Sequence, residues 1–135
     1  MKFVIVAVFL IVIALNSNAQ SNMLGRSERE IEKSMDDTSK RLQIFKGPNV
    51  YDGKESVQYM DFHGTSMLYF FDNDKCNYIR IVYHNSFLPD IVALMNKENI
   101  RSNDSTWTSK NLRYKVNLYT QVPSKNCFYL EFTEL

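Results

Sequence analysis

Between residues 56 and 84 three strand-like runs follow one another with connections of only three or four residues, and connections that short can join only antiparallel neighbours. The runs are 56–62, 66–71 and 76–84, separated by His63-Gly64-Thr65 and by Asp72-Asn73-Asp74-Lys75, both of turn composition. This stretch is therefore expected to be a β-meander. In its third strand Ile79, Ile81 and Tyr83 alternate with Tyr78, Arg80 and Val82, so one face packs inward and the other is open.

Helices are signalled on either side. Ser27 and Glu30 form an S-x-x-E box ahead of Ile31 and Met35, which predicts a helix over 28–38. Ser86 as cap, Pro89 and Asp90 in the first turn, and the apolar set Leu88, Ile91, Val92, Leu94 and Met95 predict a second, ending near Glu98. Residues 41–45 could form a short strand before the loop at Gly47-Pro48-Asn49 and Asp52-Gly53. Strands are expected at 106–108, 112–120 and 127–133. The order reads as helix, three strands, helix, three strands. Cys76-Asn77-Tyr78-Ile79-Arg80-Ile81 can be laid over Cys127-Phe128-Tyr129-Leu130-Glu131-Phe132, which suggests an internal repeat. The expected fold is α+β: two helix-plus-three-strand units, residues 27–84 and 85–135, with the helices on one face of an antiparallel sheet.

The N-terminus carries an address. Lys2, the apolar run Phe3 to Leu15, and Ser17-Asn18-Ala19 have the layout of a cleaved export signal over residues 1–19, leaving a polar leader at 20–26. The apolar run is shorter than the ~20 residues of a spanning helix, so stable membrane insertion after cleavage is not expected, and the product should be periplasmic or secreted. Removing Lys2 leaves 15 basic against 15 acidic residues, which gives no electrostatic basis for capturing nucleic acid. Export permits a disulfide between Cys76 and Cys127 without requiring it, since two separate, partly buried thiols fit the same sequence.

This arrangement resembles small exported bacterial domains of the β-lactamase-inhibitor-protein type and of the outer-membrane-assembly lipoproteins. The resemblance rests on the order of elements and on the helix lead-in Leu24-Gly25-Arg26-Ser27 before an acidic first turn. It implies helices over one face of an antiparallel sheet, with the other face meeting a protein partner. The lipid-bearing Cys of the assembly lipoproteins is missing, so anchoring and the assembly role do not carry over.

Catalytic patterns are missing from the sequence. His63 and His84 sit at strand ends, and Asp61-x-His63 supplies too few ligands for zinc. Asp72-Asn73-Asp74 begins like a calcium loop, but Asn77 stands where the glycine is needed and Tyr83 where the bidentate Glu is needed. There is no G-x-S-x-G and no glycine-rich phosphate loop, and Glu131 and Glu134 fall on opposite faces of their strand. No enzyme activity, metal or cofactor is expected. The candidate site is the open sheet face, with Tyr69, Tyr78, Arg80, Lys115, Tyr119, Tyr129 and Glu131. Tyr and Arg are favoured at interface hot spots, so the expected function is binding of another envelope or extracellular protein. The alternative is a carrier of a small apolar ligand, in a cavity lined by Trp107, Phe70 and Met95.

Overall fold

The computed structural model describes residues 22–38, 43–48, 54–60, 65–121 and 126–135. The expected export signal, His63, Asp61 and the loop at 49–53 lie outside the described residues. The chain runs α1 (Glu28–Thr38), β1 (Gln43–Pro48), β2 (Glu55–Met60), β3 (Ser66–Asp72) and β4 (Lys75–His84). A 3-10 turn (Asn85–Phe87) leads into α2 (Leu88–Glu98), then β5 (Asn99–Asn103), β6 (Thr106–Ser109), β7 (Tyr114–Tyr119) and β8 (Cys127–Glu134). Among the described residues the strands form one eight-stranded antiparallel sheet of order β1-β2-β3-β4-β8-β7-β6-β5.

This corrects the expected fold class. The protein is not two helix-plus-three-strand units; it is mostly one eight-stranded sheet accompanied by two short helices. The difference lies in β1 and β5, which open the two meanders and form the two edges of the sheet. β1 overlaps and extends the short strand expected at 41–45, whereas β5 reads in sequence as the polar end of a turn. β1 ends in Gly47-Pro48, and β5 reads Asn-Ile-Arg-Ser-Asn, composition that suits an edge and discourages pairing with a further chain.

Both helices lie on the same face. Ile31 and Met35 of α1, with Ile91 and Met95 of α2, are buried in one cluster with Val57, Tyr59, Met67, Tyr69, Ile79, Ile81, Val116, Phe128, Leu130 and Phe132. Ladder register explains this membership: Val57, Tyr69, Ile79, Phe132, Val116 and Trp107 are paired in succession across β2 to β6, so their side chains share one side. Trp107 is fully buried, and its Nε1 donates to Asn96 Oδ1 of α2 at 2.9 Å.

Local chemistry sets the element ends. Ser27 Oγ accepts the Glu30 amide at 3.2 Å, as the capping box predicts. Lys46 of β1 forms ion pairs with Glu28 and Glu32 on α1. Asn73 and Asp74 have positive φ (50° and 58°), so β3 and β4 are joined by a tight two-residue hairpin, and the calcium-like triplet is turn chemistry. Ser86 does not cap α2: it lies inside the 3-10 turn, and α2 follows Phe87 without a side-chain cap. His84 caps the turn instead, its Nδ1 accepting the Ser86 amide at 3.1 Å.

The disulfide is ruled out by register. His84 is opposite Cys127, and Cys76 is eight residues further along the same strand, a separation of ~27 Å at ~3.4 Å per residue. A disulfide requires Cα atoms within ~7 Å. Neither cysteine is in a disulfide, and burial pushes the Cys76 thiol up to about 12, so it is an inert apolar filler.

Candidate functional site: the open sheet face

On the side of the sheet away from the helices, β4 and β8 place Tyr78 opposite Thr133, Arg80 opposite Glu131, and Val82 opposite Tyr129. β7 extends these rows with Lys115 beside Thr133, Asn117 beside Glu131, and Tyr119 beside Tyr129. Alternation therefore brings Tyr78, Arg80, Lys115, Tyr119, Tyr129 and Glu131 onto one surface. No described helix lies over it.

Tyr69 is the correction. It pairs with Ile79, which fixes it in the inner row, and it is 0% exposed against Tyr59. Its neighbours Leu68 and Phe70 point to that side instead, paired with Arg80 and Tyr78, but are themselves buried, at 2% and 5% exposure. Strand β3 is apolar on both sides, so it carries no internal mark of phase; hydrogen bonding to β4 decides which flank points where. Phe70 consequently lies on the opposite face from Trp107, and the two cannot line one cavity. Met95 is buried in the cluster beneath the helices.

At the centre of the open face Arg80 packs among three rings and pairs with one carboxylate. Its guanidinium carbon lies 4.7 Å from the Tyr129 ring centroid, 5.5 Å from Tyr78 and 5.6 Å from Phe70. Nη2 donates to the Tyr78 hydroxyl at 3.1 Å and to Glu131 Oε1 at 3.4 Å. The side chains of this ion pair are only 10% and 12% exposed. Each ring attracts the cation through its negative face, and partial removal of water strengthens that attraction. Around the pair, Tyr119 stacks on Tyr129 at 4.8 Å and 21°, and Phe70 meets Tyr78 edge to face at 5.0 Å.

The result is a packed aromatic plate with a buried charge pair at its centre and a polar margin. Tyr119 is 39% exposed, while Lys115, Asn117, Thr133 and Tyr129 are half-buried. Thr106 Oγ1 donates to Asn117 Oδ1 at 3.1 Å, which fixes the margin beside Glu131. A groove of about 570 Å³ begins at the Phe70, Tyr78 and Thr133 end and is bounded by Lys54 and Glu55. Phe70, Leu68, Asn117 and Thr133 were missing from the expected site. The pairing partners of Arg80 and Tyr78 would have identified them, had the phase of β3 been known.

Among the described residues no group of three or more His, Cys, Asp or Glu could hold a metal ion. No described helix is long and apolar enough to cross a membrane. A comparison with protein-family models, with curated proteins and with solved structures finds no match to this chain.

Proposed function

We propose that this is an exported, non-enzymatic protein-binding domain that meets another envelope or extracellular protein with its open sheet face. The observation that carries this reading is the ordered plate of Tyr78, Tyr119, Tyr129 and Phe70 around Arg80 and Glu131. Rings and a guanidinium already held in place lose little rotamer freedom when a partner covers them, which is why such residues contribute heavily to interfaces. The edges of the sheet suit the same reading. β5 is polar and bulged between Arg101 and Asn103, and β1 ends in proline, so strand addition at an edge is disfavoured relative to contact on the face.

The chemistry of the described reactive groups points away from catalysis. The Cys76 thiol is far from the thiolate form at neutral pH, and His84 Nδ1 is occupied as a turn cap. Export rests on the signal-like residues 1–19. The test is quantitative capture of partners from the native envelope or culture fluid by the wild type and by the Tyr119→Ala/Tyr129→Ala variant. A polypeptide retained by the first and released by the second is the expected result. Equal capture by both would refute the assignment of this face.

A further inference from the structure

We propose that the cleft at the end of the sheet, where the leader meets β7 and β8, binds a small oxyanion: a carboxylate or a phosphate group. The cleft encloses about 470 Å³ and is lined chiefly by Asn22, Arg26, Asn111, Arg113, Tyr114 and Glu134. It lies apart from the residues of the aromatic plate and does not depend on that plate's function.

Both arginines are fixed at their backbones. The Arg26 carbonyl accepts the Cys76 amide at 2.8 Å, while the adjoining Gly25 amide donates to the Cys76 carbonyl at 2.7 Å. This pair of bonds docks the leader onto β4. The Arg113 amide is held by Ser109 Oγ at 2.9 Å and Asn111 Oδ1 at 3.3 Å, and its carbonyl accepts the Leu135 amide at 3.1 Å. Their guanidiniums are not consumed in the same way. Arg80 is spent on Glu131 and Tyr78, and Arg101 donates to the carbonyls of Asn103 and Asp104. Among the described residues the side chains of Arg26 and Arg113 make no hydrogen bond or ion pair, although Glu134 lines the same cleft.

Other polar groups of the lining are committed so that donors remain. Asn111 Oδ1 accepts from Ser109 Oγ at 2.8 Å as well as from Arg113, leaving the NH₂ of its carboxamide to offer. Tyr114 donates its hydroxyl to Asn99 Oδ1 at 3.1 Å. The lining thus contains two guanidiniums and a carboxamide NH₂, donor groups of the kind an acceptor-only oxyanion needs. Glu134 stands against Gly25, so the lining has two cations against one carboxylate, an excess suited to a small anion.

The experiment is a titration of the purified full-length protein, in the form in which it is produced, with sodium phosphate and separately with sodium succinate at low ionic strength. Calorimetry and amide chemical shifts provide the readouts. Saturable binding of at least one anion is expected, weakened about tenfold or more by Arg26→Gln and by Arg113→Gln, less by Arg113→Lys, and not by Lys33→Gln. Binding of phosphate alone identifies a phosphate site, and binding of succinate alone a carboxylate site; binding of both indicates a general oxyanion site. Failure of both anions to saturate overturns the proposal, as does wild-type affinity in the Gln variants or an equal loss in Lys33→Gln. If circular dichroism shows that Arg113→Gln is unfolded, Arg26→Gln and Arg113→Lys decide by the same criteria.

Discussion

Replacing Arg80 by Met tests whether the centre of the open face is a buried ion pair or a solvated one. Its side chain and that of Glu131 are 10% and 12% exposed, and three rings lie within 5.6 Å of the guanidinium carbon. Removing one member of a pair this well buried leaves the other charge uncompensated, which costs about 3–5 kcal/mol. Loss of the ring contacts adds to the cost, at about 0.5–2 kcal/mol for each cation–π contact, whereas Met packing against the same rings returns part of it. The expected net destabilisation is about 4 kcal/mol, a large share of the roughly 5–15 kcal/mol that holds a domain folded. Urea unfolding followed by the fluorescence of Trp107, with an unchanged slope, measures it. The Arg80→Met/Glu131→Leu double variant should recover at least half of the loss, because it replaces both charges with apolar groups. A cost below about 1 kcal/mol for Arg80→Met would place the pair in the range of exposed ion pairs and refute the description of the site.

Two further outcomes follow from the packing of the leader and of β4. Burial raises the Cys76 thiol from 9.0 to about 12, so its contribution to stability is complete below pH 9 and declines as pH climbs toward the folded value. The stability difference between wild type and Cys76→Ala should therefore shrink by about 1.4 kcal/mol per pH unit between pH 9 and 11; a constant difference would show that the thiol is not buried in solution. Gly25 has φ of +83°, and a Cβ there would stand 3.2 Å from Glu134 Oε1. Gly25→Ala should destabilise by about 1–2 kcal/mol in thermal unfolding, and Gly25→Ala/Glu134→Ala should remove the steric part but leave the backbone part. Identical melting of Gly25→Ala and wild type would mean that the leader is not docked on β4.

The alternating strands were the legible part of the chain. Ile79, Ile81, Leu130 and Phe132 announce their inward flank by the polar or phenolic residues between them, and six of the seven expected site residues share the opposite face as a consequence. The exception, Tyr69, sits in the one strand where every neighbour is apolar. Helix ends were legible where a local side-chain bond creates them, as at Ser27, and not where they depend on a preceding turn, as at Ser86.

Alternation and turn spacing are properties of a few consecutive residues, so the sequence alone determined the meanders, both helices and the two flanks of β4 and β8. The placing of β1 at an edge, the whole of β5, the phase of β3 and the separation of Cys76 from Cys127 are properties of ladders between segments of the chain. Polar residues become a strand when a neighbouring strand supplies hydrogen-bond partners, and two cysteines on adjacent antiparallel strands meet only when the register brings them opposite each other. Arg80 and Glu131 lie 51 residues apart in sequence, and their pairing beneath Tyr129 and Tyr78 exists only because β8 comes back alongside β4 instead of extending the sheet at its edge.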